Sequence, residues 1–336
     1  MPYKVINNIK QEKIEILRIK DLKTHFFTED GVIKAVDGID LSLFQGEILG
    51  LVGESGCGKS VTSLSVMRLV DQSGKTVNGS IKFQGKELLE LSDSAMTKIR
   101  GSSIAMISQQ PHMALNPVMR VCDHFIEILK LHAGLSKKEA RLRCIELLER
   151  VEIPEAERIM RAYPHELSGG MAQRVVISLA LSVDPVLLIA DEPTTALDVT
   201  IQAQIIDLLR ELCAHIKTAI ILITHDLGVV AEIAQRVAVM YAGSIVEEAD
   251  VERLYEKPLH PYTQGLMGSV PILGKPKKDL DVIPGSVPNL ISLPNGCRFA
   301  PRCRARKEQN LQICFDEEPR LQLVDDRHKV RCWLHH

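Results

Sequence analysis

Gly53-Glu54-Ser55-Gly56-Cys57-Gly58-Lys59-Ser60 is the stretch that decides how this chain is built. It fits G-x-x-x-x-G-K-[ST], in which glycines let successive backbone N–H groups curl around phosphate oxygens, the lysine reaches the outer phosphates and the serine hydroxyl ligates magnesium. The flanks suit that use. The apolar run from Glu47 to Val52 predicts a buried parallel strand, and Val61 to Met67 predicts a helix whose positive dipole end faces the phosphates. Gly53, Ser55, Gly56, Cys57, Gly58, Lys59, Ser60 and Val61 therefore form the candidate triphosphate cradle, with Ser60 also a magnesium ligand.

Composition narrows the classes. A chain of 336 residues with 45% hydrophobic content buries one large core plus a smaller unit. A net charge of −2, a pI near 6.6 and only 4% aromatic residues give no footprint for a nucleic-acid partner. No stretch approaches the roughly 18 to 20 consecutive apolar residues needed to span a bilayer. Residues 1 to 20 scatter charges among isolated apolar residues and lack the apolar core of a secretory signal, so a soluble, non-exported chain is expected.

Outward from the phosphate loop, residues 14 to 46 read as antiparallel strands joined by a turn at Thr28-Glu29-Asp30-Gly31. Between Pro111 and Pro164 the period becomes helical. Ser136-Lys137-Lys138-Glu139 is a capping box, followed by Ala140, Leu142, Ile145, Leu148 and Val151 at helical spacing. Ile104 to Ile107, Val186 to Ala190 and Ala219 to Ile223 are further buried-strand candidates, so the core is expected to be a doubly wound, mostly parallel α/β sheet with a helical insertion. After Tyr255, Pro258, Pro261, Pro271, Pro276, Pro284, Pro288 and Pro294 recur among glycines, which marks a change of unit.

Two more stretches carry chemistry. Asp191 and Glu192 close an apolar strand at the carboxyl end of the sheet, where Asp191 suits magnesium and Glu192 suits a water beside the γ-phosphate. Ser168-Gly169-Gly170 opens an apolar helix, whose free N–H groups make a second anion site. One cradle and one separate anion-binding helix start imply that two chains share each nucleotide.

With these residues in place, the chain resembles the nucleotide-binding subunits of ATP-binding cassette (ABC) transporters. The likeness covers roughly residues 14 to 255: Gly53 to Ser60 as Walker A, Leu187 to Glu192 as Walker B, Leu167 to Gln173 as the signature and Thr195-Ala196-Leu197-Asp198 as the D-loop. It implies a P-loop NTPase fold with a RecA-like parallel core, an antiparallel β subdomain and a helical subdomain at about 111–168. It also implies ATP and Mg2+ as cofactors and a head-to-tail dimer with a second ATPase subunit, identical or paralogous. Gln109 then matches the Q-loop glutamine near magnesium and water, His225 the switch histidine at the γ-phosphate, Glu192 the base, and Asp198 a nucleotide-site residue. Phe26, 27 positions before Gly53, matches the aromatic that stacks on adenine, with Phe27 its competitor. Gln110 stands where relatives often have an acidic residue, and Ala172 occupies a variable place in the signature.

Of eight cysteines, Cys297, Cys303, Cys314 and Cys332 crowd into the tail. Four soft donors suit zinc or an iron–sulfur cluster, and spacing alone does not choose between them. The tail, with His260-Pro261-Tyr262-Thr263-Gln264 and Pro284-Gly285-Ser286-Val287-Pro288, is similar to the C-terminal extension of oligopeptide and dipeptide importer ATPases. That narrower resemblance implies a [4Fe-4S] cluster on the four cysteines, with Zn2+ the alternative. It also implies two integral membrane permease subunits as partners, an extracytoplasmic solute-binding protein acting indirectly, and a peripheral place on the cytoplasmic face of the cell membrane. The expected organisation is an N-terminal extension over 1–13, the ABC ATPase unit over 14–257 and the tail domain over 258–336. Competing readings are a soluble cassette ATPase acting on nucleic acid or the ribosome, and a motor for another solute such as nickel; a single cassette without basic excess argues against the former.

Overall fold

The computed structural model describes residues 14–195, 197–269 and 283–336, so the expected extension over 1–13, Ala196, Pro271 and Pro276 lie outside the described residues. Two sheets organise the chain. The larger has eight strands in the order Gln322–Asp325, His328–Val330, Ser244–Asp250, Arg236–Tyr241, Ile48–Val52, Ala219–Thr224, Leu187–Asp191, Ile104–Ile107. From Arg236–Tyr241 to Ile104–Ile107 neighbouring strands run parallel, as their continuous apolar sequences require of strands covered on both faces. The smaller sheet is antiparallel, in the order Gly31–Phe44, Glu15–Thr28, Gly74–Phe83, Lys86–Glu87, with Glu29 and Asp30 at the turn.

Alternation along each central strand sorts its side chains into two cores. Ile48 and Val52, Leu188 and Ala190, and Ile220 and Leu222 face a helical layer that includes Gly169–Ala180, Val199–Ile216 and Leu227–Ile233. Leu49 and Leu51, Leu187 and Ile189, and Ile221 and Ile223 face the antiparallel sheet, meeting Leu17, Ile19, Leu41 and Leu43. Each Leu, Ile or Val among them, once buried, contributes about 1.5–3 kcal/mol. Gly50 belongs to the helical face, where a β-carbon would stand 2.7 Å from Val230 Cγ1, so helix Leu227–Ile233 presses directly on the strand that feeds the phosphate loop.

The helical insertion contains Val121–Ala133, Lys137–Arg150 and Ala156–Ile159. Its capping box forms as the sequence requires: Glu139 N–H donates to Ser136 Oγ at 3.3 Å, and Ser136 N–H donates to Glu139 Oε2 at 2.8 Å. The buried stripe of Lys137–Arg150 is Ala140, Cys144, Leu147 and Leu148, whereas Leu142, assigned to the apolar face from its spacing, is exposed.

The tail returns to the cassette. Its hairpin Gln322–Asp325/His328–Val330 extends the core sheet through Ser244–Asp250, and the buried Glu247 carboxylate accepts from the N–H groups of Leu259 (2.7 Å) and His260 (2.9 Å) and pairs with His328 Nε2 (2.7 Å). Arg298, itself buried, bonds Ala242 O at 2.7 Å and Asp37 Oδ2 at 2.9 Å, across to the antiparallel sheet.

Candidate nucleotide site

The phosphate loop leaves strand Ile48–Val52 and runs into helix Lys59–Met67. Gly53 and Gly58 have φ of +155° and +109°, and a β-carbon on either would stand 2.2 Å from a backbone oxygen, Met240 O and Ala35 O respectively. Only glycine fits both the angle and the space. No side chain caps the helix, whose N-cap is Gly58, so its first N–H groups face the loop. Lys59 is buried and turns its ammonium onto the loop's own carbonyls, Gly53 O at 2.8 Å and Glu54 O at 3.0 Å.

Beside the loop, strand Leu187–Asp191 delivers Asp191, which is buried and whose Oδ1 has no hydrogen-bond partner. Burial pushes this carboxyl up from its ordinary range; the Ser60 hydroxyl pulls it down, the Glu192 charge adds to the rise, and Lys59 opposes it. A buried carboxylate with one orphaned oxygen, beside a serine hydroxyl, suits a hard divalent cation, so Asp191 and Ser60 fit magnesium in donor chemistry.

Glu192 takes a left-handed backbone, φ +48°, which a non-glycine residue adopts only when its surroundings hold it there. Its N–H donates to Ile223 O at 2.8 Å. Its carboxylate gathers three side chains: Gln109 Nε2 donates to Oε2 at 2.9 Å, Thr195 Oγ1 donates to Oε2 at 2.8 Å, and His225 Nδ1 lies 3.3 Å from Oε1. Burial alone would raise its pKa, but the hydrogen bonds from Thr195 and His225 outweigh it and hold the carboxyl below its ordinary value. Glu192 is thus an ionised, oriented acceptor at the carboxyl end of the central sheet.

Gln109, Asp191, Glu192 and His225 therefore converge as their sequence positions require. Thr195 joins them although the sequence marked it only as part of a loop motif. The second anion-site candidate stays apart: Ser168 Oγ caps its own helix by accepting from Met171 N at 3.3 Å, and among the described residues its hydrogen bonds do not leave that helix. Gly169 and Gly170 sit against Leu197 and Ile201, where added β-carbons would stand 3.8 and 3.1 Å from those side chains. Asp198 caps helix Val199–Ile216, with Oδ1 accepting from Ile201 N at 2.9 Å. Phe26 lies half-buried against Gly74, while its neighbour Phe27 is 53% exposed.

Cys297, Cys303, Cys314 and Cys332 line one small cavity with His260, Phe299 and Arg306. Burial raises all four thiols, Cys297 to about 11 and Cys332 to about 12. As placed, no three metal-binding side chains among the described residues are close enough to hold an ion, so the expected [4Fe-4S] or zinc set is not formed in this arrangement.

Sequence and structure comparisons identify the family of the chain. Residues 36–195 match the model of the ABC transporter family, and residues 246–309 match that of the oligopeptide/dipeptide transporter C-terminal region. The chain is 50% identical to the oligopeptide transport ATP-binding protein AppD of Bacillus subtilis, over 95% of this chain and 97% of that protein. It is 48% identical to the oligopeptide transport ATP-binding protein OppD of Haemophilus influenzae, over 95% and 97% of the two. Among solved structures, the dimeric ATP-binding cassette MJ0796 bound to ADP and Pi superposes with a TM-score of 0.64 at 28% identity, covering 70% of this chain and 99% of that one.

Proposed function

The chain belongs to the ABC transporter family, among its oligopeptide transport ATP-binding proteins, and from that premise we propose how its residues divide the work of ATP hydrolysis. The protein is the ATPase subunit that energises peptide import. Its cofactors are ATP and Mg2+. In the proposed site the Gly53–Ser60 backbone and Lys59 hold the β- and γ-phosphates, and Ser60 and Asp191 hold magnesium with Gln109 close by. Glu192 orients and deprotonates the attacking water, His225 contacts the γ-phosphate, and Phe26 stacks on adenine.

The observation that carries this reading is the Glu192 carboxylate, ionised and bonded to Gln109 and Thr195 one residue beyond the buried, orphaned Asp191. Removing the base function while keeping the shape tests it. Glu192→Gln should retain ATP binding and lose turnover; undiminished hydrolysis would remove Glu192 from the role.

The remaining assignments follow from the same premise. Ser168, Gly169 and Gly170, with Asp198 nearby, act across a head-to-tail dimer on the nucleotide cradled by a second ATPase subunit. That separation is supported by Ser168, which among the described residues bonds within its own helix. Dimer closure passes to two integral membrane permease subunits, which an extracytoplasmic solute-binding protein supplies. Among the described residues no helix is long and apolar enough to cross a membrane, which fits a peripheral subunit on the cytoplasmic face. The order of units is an ATPase unit over 14–257 followed by the tail over 258–336. For the tail, four thiols on one cavity support a soft-metal centre, [4Fe-4S] or Zn2+, held by Cys297, Cys303, Cys314 and Cys332 once the thiols ionise and close in. Such a group would supply a structural cross-link.

A further inference from the structure

The second residue of the phosphate loop, Glu54, is held at three points, and two of them come from the tail. Its carbonyl oxygen accepts from Lys59 Nζ at 3.0 Å. Its N–H donates to Tyr262 Oη at 2.8 Å. Its carboxylate receives a two-pronged grip from Arg302: Nη1 to Oε2 at 2.6 Å and Nη2 to Oε1 at 3.0 Å.

Both tail residues are themselves fixed. Tyr262 is fully buried in an aromatic cluster with Tyr241 and Phe299, at ring-centroid distances of 4.6 and 5.5 Å. The Arg302 side chain is only 6% exposed, and its remaining N–H capacity goes to Pro284 O at 2.8 Å, Gly285 O at 3.2 Å and Tyr241 Oη at 3.3 Å. A guanidinium locked in this way is a pre-organised fork that spends little entropy on its carboxylate. Building such a grip around a loop glutamate is informative because an anion in a phosphate cradle works against a triphosphate.

We propose that Arg302 and Tyr262 are positioning residues for the phosphate loop: Tyr262 fixes the Glu54 backbone and Arg302 neutralises its carboxylate and holds it away from the incoming triphosphate. The tail is thereby part of the nucleotide site of its own cassette, and whatever moves the segment carrying Phe299, Arg302 and Cys303 changes affinity for ATP. This inference rests on the reading that the Gly53–Ser60 loop binds ATP.

The test measures Mg-ATP affinity of the full-length chain by equilibrium titration with a fluorescent ATP, alongside KM and kcat of the assembled transporter and the thermal midpoint of each variant. Lys59→Ala is the separate control for the cradle: if it binds ATP as well as the parent does, the nucleotide-site reading fails before the tail is considered. Arg302→Gln is expected to weaken ATP binding about tenfold, with kcat at saturating ATP within about twofold of the parent. Adding Glu54→Gln should restore affinity to within about threefold, since the charge to be neutralised is gone. Arg302→Lys should give a smaller loss of affinity, and Tyr262→Phe a rise in KM with kcat unchanged. Unchanged affinity in Arg302→Gln, or no recovery in the double variant, overturns the proposal. Should Arg302→Gln fail to fold, unchanged affinity in both Arg302→Lys and Tyr262→Phe overturns it.

Discussion

Gln109 Nε2 donates to Glu192 Oε2 across 2.9 Å, joining two residues 83 positions apart at the carboxyl ends of neighbouring parallel strands. In the same carboxylate, Thr195 and His225 complete a set of donors that fixes its orientation. A carboxylate held from three sides keeps one orientation.

Glu192→Gln should lower kcat by about 10²–10⁴-fold while leaving ATP affinity near that of the parent, because the amide keeps the size and loses the proton acceptor. Single-turnover hydrolysis and ATP titration of the same preparation measure both. Equal losses of binding and turnover would show that Glu192 supports the loop rather than the chemistry.

Thr195→Val removes one donor from Glu192 and should let its pKa rise, since burial then meets less opposition. The acid limb of the kcat against pH profile should shift to higher pH in this variant. An unshifted limb would detach Thr195 from the Glu192 carboxylate.

Gly58→Ala places a β-carbon 2.2 Å from Ala35 O at φ +109°, so the loop must move. A stability loss of about 2 kcal/mol or more is expected, together with loss of ATP binding. Gly56→Ala meets no atom within 4 Å and suffers only from its φ of +78°, so it should cost distinctly less in denaturant unfolding.

His260 sets an acid-side prediction. It is wholly buried, its Nδ1 accepts from Tyr262 N at 3.0 Å, and burial lowers its pKa to about 4. The unfolded chain takes up a proton near pH 6.5 that the folded chain refuses until about pH 4, so this stability is complete above 6.5 and is lost as pH falls through that window. A loss of about 1–3 kcal/mol between pH 6.5 and 4 is expected in the parent, with a flatter profile in His260→Gln. Denaturant midpoints across that range check it, and parallel profiles would contradict it.

Much of this architecture is legible in the chain because local signals are strong where packing is obligatory. The strands Leu187–Asp191 and Ala219–Thr224 must be apolar on both faces, and Gly53 and Gly58 have no substitutes at their angles and spacings. Asp191 and Glu192 are legible because they close such a strand, whereas Gln109 and His225 stand out only through the resemblance to ABC transporter ATPases. Three features were not legible, each for a long-range reason. Leu142 keeps helical spacing, yet which residues are buried depends on how the helix is rolled against its neighbours. The hairpin Gln322–Asp325/His328–Val330 is short and polar, and it is a strand pair only because Ser244–Asp250 offers it an edge. Tyr262 and Arg302 lie 208 and 248 positions from Glu54, beyond any periodicity.

In the proposed transporter each nucleotide is shared between two cassettes, and the structure of the Glu192→Gln transporter loaded with Mg-ATP decides whether it is. The expected result places Ser168 Oγ and the N–H of Gly170 at the γ-phosphate of an ATP cradled by the Walker A loop of the opposing ATPase subunit. Two occupied sites with each ATP enclosed by a single chain, and Ser168 remote from both, would contradict it.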